Sequence, residues 1–185
     1  MHTMLAWSAR IDRVLSIAGR IGAWCGMLLV FAVCIDVATR YLGLPKPFGW
    51  NATQLQESEY WLHTFLFALM IGWAYVRQAH VRIDLFRELM TTRTKCLFEM
   101  AGIVLFLATY SVFGVWYCYE YALASYLSGE ASKATVGLTH IWIVKSALVV
   151  MFLLMGLAAV SQFIKVLAVF RGELSADMTA AALGS

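Results

Sequence analysis

Five ionisable side chains stand inside or at the edges of otherwise apolar stretches: Asp36, Arg40, Glu59, Glu120 and Lys145. A charge in hydrocarbon is expensive unless it is paired or reaches water, so residues of this kind mark ion or proton pathways, or salt bridges that fix how helices pack. Asp36 and Arg40 are one helical turn apart, with the acid first, which suits an i,i+4 pair. All five fall toward the same ends of their apolar segments and are expected to form one polar layer. A proton or sodium path has to continue to the opposite face, where only Glu99, near Arg93 and Lys95, is embedded. No segment carries a Gly/Pro break at its middle, and no inverted pair of interrupted segments is present to hold a substrate at mid-membrane. The layer is therefore read as structural, or as a partner interface.

His63 and His140 lie near the same ends of two different segments, where a four-helix bundle can hold a haem between two imidazoles. An electron-transfer membrane subunit is thus the alternative reading. Against it stand the single pair of histidines and simpler roles for each: His63 hydrogen-bonded in the polar layer, His140 at the headgroups beside Trp142. Cys25, Cys34, Cys96 and Cys118 show neither a CxxC pair nor zinc spacing and read as small buried hydrophobes. The chain has no phosphate-binding glycine loop and no Ser/His/Asp arrangement. No catalytic, metal or cofactor residues are expected in it, and no nucleic-acid partner.

The elements that must position these residues follow from composition. The chain is 62% hydrophobic and 14% charged, with seven Trp and nine Met, far more apolar than a soluble domain. Apolar runs at 17–41, 60–76, 96–121 and 139–170 are each about long enough to cross a bilayer at roughly 20 residues per crossing. The fold class expected is an all-α integral membrane protein: four transmembrane helices in a tilted bundle, one domain over 1–174, with short interfacial helices in the connections. The first run resembles a signal peptide in its basic flank, but Asp36 and Arg40 follow without a small-x-small cleavage site, so it is expected to stay as a span.

Basic residues alternate by loop. Arg10, Arg13 and Arg20 precede the first span, Arg77, Arg82, Arg87, Arg93 and Lys95 follow the second, and Lys165 and Arg171 end the fourth. The positive-inside rule then puts both termini and the 77–95 connection in the cytoplasm. In that connection, apolar Val81, Ile83, Leu85, Phe86, Leu89 and Met90 interleave with charges, as in a helix lying at the membrane surface. Between Pro45 and Glu59, Pro45 and Pro47 block helix extension, Phe48 and Trp50 can anchor at headgroups, and Thr53 to Gln56 open a helical turn. Gly22 and Gly26 form a GxxxG spacing that serves either packing within the bundle or contact with another chain. The tail 175–185 is expected to be disordered.

Three motifs carry a family resemblance: Asp36-Val37-Ala38-Thr39-Arg40-Tyr41, Glu59-Tyr60-Trp61-Leu62, and His80-Val81-Arg82-Ile83-Asp84. With the number and order of spans, they resemble the small membrane subunit, DctQ-type, of a tripartite ATP-independent periplasmic (TRAP) transporter. The chain departs from many members at Thr139-His140-Ile141-Trp142, where they carry a proline before the Trp. The resemblance implies a bacterial inner-membrane protein that works with a large membrane subunit and a periplasmic substrate-binding protein to import an organic acid on a sodium gradient. It implies that the large subunit holds the sodium and substrate sites while this chain braces it. Asp36, Arg40 and Glu59 would hold the bundle, and His80, Arg82 and Asp84 would fix the inner connection against lipid headgroups or the large subunit.

Overall fold

The computed structural model describes residues 2–79, 90–174 and 176–183, and among them the regular structure is helical throughout. Helix α1 runs over His2–Leu42. It contains no proline, and it ends where Gly43 takes φ +65° and Pro45 follows. At 1.5 Å per residue it is roughly 60 Å long, about twice a hydrocarbon thickness. The expected span 17–41 is thus only its second part, and residues 2–16 extend it beyond one end.

Helix α2 covers Ala52–Val76 and starts earlier than the expected span 60–76. Its start is set by Asn51, whose side-chain oxygen accepts from the Gln54 backbone N–H at 2.9 Å while Gln54 Oε1 accepts from the Asn51 N–H at 3.3 Å. This reciprocal capping box satisfies two otherwise orphaned donors. A single 3₁₀ turn, Pro47–Gly49, precedes it.

The third long helix is continuous over Thr92–Leu127 but changes winding midway. Helix α3 (Thr92–Gly102) passes through a π-helical stretch, Ile103–Ala108, into α4 (Thr109–Leu127). The Thr109 hydroxyl donates to the Val104 carbonyl, five residues back, at 3.0 Å. Helix α5 covers Trp142–Phe170 and begins after His140, which holds φ +64°. The expected boundary at 139 therefore moves to Trp142.

Three of these helices, Thr3–Leu42, Thr92–Leu127 and Trp142–Phe170, are long and apolar enough to cross a membrane. Helix α2 is not among them, because Glu59, His63 and Thr64 dilute its apolar run. The inner-connection residues His80, Arg82 and Asp84, and the interfacial helix expected there, lie outside the described residues.

The long helices run alternately up and down. Helices α1 and α2 pack along each other, and α5 lies against α1, α2, α3 and α4, so it is the central element. Helix α4 rests on α5 with no comparable contact to α1 or α2. The bundle is consequently a three-helix core, α1/α2/α5, with α4 added on one side.

The close approach of α1 to α2 needs glycine. A Cβ at Gly22 would lie 2.9 Å from Met70 Cγ and 3.2 Å from the Leu66 carbonyl oxygen, and one at Gly26 would lie 3.1 Å from Leu66 Cδ1. The GxxxG spacing is thereby used inside the chain.

The tail departs from expectation. Residues Ala176–Leu183 form a helix, α6, and Ala182 and Leu183 are buried against Cys96, Val166 and Val169. Its apolar side chains are mostly small alanines, and it is also held by polar contacts. The side-chain amides of Gln78 and Gln162 both donate to the Ala182 carbonyl, at 3.2 and 2.6 Å. A helix-end carbonyl that has no partner within its own helix is thus paired twice, which helps to order a tail of small residues.

Candidate functional site

Polar side chains gather at the two ends of the bundle. At the end formed by the 43–51 and 128–141 connections, Asp36 is buried near the end of α1. Its Oδ2 is 2.7 Å from Arg40 Nε, the i,i+4 pair expected from sequence, and its Oδ1 is 2.6 Å from Lys46 Nζ. Lys46 also donates to the Thr39 hydroxyl at 3.3 Å, and that hydroxyl donates to the Asp36 carbonyl at 3.0 Å. Pro45 and Pro47 hold Lys46 in an extended turn that folds it back over the helix end. Glu59 on α2 lies within electrostatic reach of Asp36, Arg40 and Lys46, and its Oε1 is buried without a hydrogen-bond partner.

A second group ties the two connections together. Glu57 on α2 accepts from the Leu138 N–H at 2.5 Å and from the Ser132 hydroxyl. The Asn51 side-chain amide donates to the Val136 carbonyl at 3.0 Å. One turn into α5, Lys145 reaches back to Glu130 Oε2 at 2.5 Å and stands 3.8 Å from the centre of the Tyr121 ring. Glu130 lies in the connection between helices, and the hydrogen bond from the Lys145 ammonium holds its carboxyl below the ordinary glutamate range.

The expected five-residue layer is thus divided. Asp36, Arg40 and Glu59 come together around Lys46, whereas Lys145 forms a separate pair with Glu130. Glu120 joins neither group: it is exposed on α4 with no ion-pair partner among the described residues. Lys46 and Glu130 were missed because both sit in connections, where sequence gives no register; only the turn prolines near Lys46 hinted that it folds back.

At the opposite end, Lys165 Nζ is 2.6 Å from Asp12 Oδ2, and the Ser161 hydroxyl donates to Asp12 Oδ1 at 2.5 Å. The hydroxyls of Ser8 and Ser161 are 2.8 Å apart and both residues are buried. This cluster was also missed. A signal existed, since Ser8 and Asp12 are one turn apart on α1, as are Ser161 and Lys165 on α5, so the two polar pairs match in register. Beside it a cavity of about 620 Å³ is lined by Ser8, Asp12, Gln78, Gln162 and Lys165.

The two histidines considered as haem ligands both lie on the exterior. His63 packs edge-on against Phe67, with ring centres 4.7 Å apart, and the His140 ring nitrogen Nδ1 is 2.8 Å from the Thr139 hydroxyl. Nothing in this arrangement supports the haem reading. No group of three or more His, Cys, Asp or Glu side chains able to hold a metal occurs among the described residues.

The polar groups therefore join chain segments to each other. The family model for tripartite ATP-independent periplasmic transporters, DctQ component, matches residues 29–169. The chain belongs to the DctQ family. No curated protein and no solved structure matches it. The DctQ match includes Asp36, Arg40, Lys46, Glu59, Glu120, Glu130 and Lys145. It leaves out Asp12 and α6, so the Asp12–Lys165 contact fastens a segment outside the DctQ match to a helix inside it.

Proposed function

We propose that this chain is the small membrane subunit of a TRAP-type secondary transporter, a four-span scaffold in the bacterial inner membrane. It braces a large membrane subunit, to which a periplasmic binding protein delivers an organic acid for sodium-driven uptake. The observation that carries this reading is the family match over residues 29–169. The polar contacts support it, because each of the main ion pairs locks one segment against another: Asp36 to Lys46, Glu130 to Lys145, and Asp12 to Lys165. Locked segments suit a brace, and the described residues form no continuous row of titratable groups for an ion.

Helix α2 is the fourth span in this reading. At 25 residues it is roughly 37 Å long, enough to cross, and its Glu59 and His63 sit near one end. The clusters of arginine before residue 21 and after Val76 support a topology with both termini in the cytoplasm and the 43–51 and 128–141 connections in the periplasm. The latter carry the surfaces available to a binding protein.

The test is co-purification from the native membrane followed by reconstitution. The large subunit is expected to come down with this chain, and vesicles containing the large subunit alone are expected to take up no substrate until this chain is added. Full uptake by the large subunit alone would reject the scaffold role.

A further inference from the structure

Among the described residues, Glu120 is an acid on a long helix with no partner inside the bundle. Its sequence neighbour Tyr121 turns toward α5 and carries the Lys145 ammonium on its ring, so Glu120 sits at the depth of Lys145, some 10 Å along α4 from the helix end at Leu127. Lys145 is engaged by Glu130, and Glu120 points away. Around it on α4, Val112, Phe113, Trp116 and Tyr117 are all more than half exposed. A carboxylate on an apolar face at this depth calls for a cation. Three acids elsewhere in the described chain, Asp12, Asp36 and Glu130, each pair with a lysine.

The same face is also shaped to receive a helix. Among the described helices α4 rests mainly on α5, and between them runs an apolar groove of about 800 Å³ whose walls include Val112, Phe113 and Trp116. Small residues Ala108, Ser111 and Gly156 line it, and these let a backbone approach closely. We propose that the outward face of α4 is the docking surface for the large subunit, and that it receives a transmembrane helix bearing a lysine or arginine level with Glu120. This rests on the scaffold reading above and names its contact face. The occupant is a membrane helix because the groove is apolar along its length, and it is basic because the one charged group on the face is an acid.

The experiment places a photoreactive benzophenone amino acid at Trp116 or Phe113, and separately at Trp24 or Phe31, which are exposed on α1. Irradiation of the assembled complex is expected to join the large subunit to the α4 positions and not to the α1 positions. In parallel, E120Q is expected to lower the recovery of the large subunit roughly threefold to tenfold, the range for losing an interhelical polar contact in a membrane. E120K, which brings like charges together, should lower it further. Both variants should elute like the wild type when purified alone, since Glu120 has no partner within the described chain.

Adducts from α1 alone, or wild-type recovery with E120K, would overturn the α4 assignment while leaving the scaffold reading intact. A wild-type chain that brings down no large subunit would overturn both.

Discussion

Lys165 Nζ lies 2.6 Å from Asp12 Oδ2, joining α5 to α1 across more than 150 residues of sequence. The side chains are 22% and 31% exposed, so water screens the pair in part. Asp12 also accepts from Ser161, whose hydroxyl meets Ser8 as well, so loss of the charge falls chiefly on the lysine. D12N is expected to destabilise the purified protein by about 1–2 kcal/mol. K165M should cost less, and the double variant less than the sum. Thermal unfolding followed by size-exclusion fluorescence measures this; strictly additive losses would mean that the two side chains do not interact.

Asp36 serves two cations, and that asymmetry sets an order of effects. D36A removes the buried carboxylate that Lys46 and Arg40 share, leaving only the half-buried Glu59 nearby, which makes no ion pair with either, and should cost about 3 kcal/mol. Lys46 is the more enclosed partner, so K46A should cost more than R40A, for which under about 1 kcal/mol is expected because Arg40 is half exposed. Melting temperatures of the three variants give the ranking directly. If R40A were the most damaging, the buried contact would lie elsewhere than at Lys46.

Glu130 supplies a pH dependence whose sign is fixed. Its carboxyl is held below the ordinary glutamate range by the hydrogen bond from Lys145. A carboxyl depressed in the folded state contributes its stability above the unfolded value and loses it as pH falls through the folded one. The melting temperature of the wild type should therefore exceed that of E130Q at neutral pH, with the gap closing as pH drops below about 4.3. A gap that stayed constant into acid would show that the carboxylate charge contributes nothing.

Gly114 faces the ring of Phe152, and any Cβ at that position would collide with it. Phe152 in turn packs edge-on against Tyr110, with ring centres 5.2 Å apart, so it has little freedom to move. G114A is expected to cost about 1–3 kcal/mol through overpacking. Adding F152L should recover part of the loss, by freeing the volume the methyl needs. A fully stable G114A would show that α4 can shift along α5 without penalty.

Much of this protein was legible in its sequence for a simple reason: hydrocarbon imposes length and apolarity on each crossing segment, and both are local properties. The first, second and third apolar runs fall within the helices observed, the fourth starts three residues before its helix, and the Asp36–Arg40 pair follows from helical spacing alone. The DctQ family, too, was written in short motifs. The capping residue Asn51 was equally local, though easily passed over before the longer run at Thr53.

What spacing does not contain is direction around an axis and the path of a connection. Glu120 and Lys145 have the right types and the right depth to pair, but Lys145 faces Glu130 and leaves Glu120 outside. Lys46 and Glu130 enter ion pairs because their loops fold back, and loop paths depend on contacts distant in sequence. The ordering of α6 depends on Gln78 and Gln162, from two other helices, meeting at one carbonyl. Sequence by itself determined that this is a DctQ chain with helices that can span a membrane and charges near their ends. Only the tertiary structure decided which charges meet and that α4 is covered on one side, because pairing energy depends on distances between segments whose mutual arrangement no local pattern encodes.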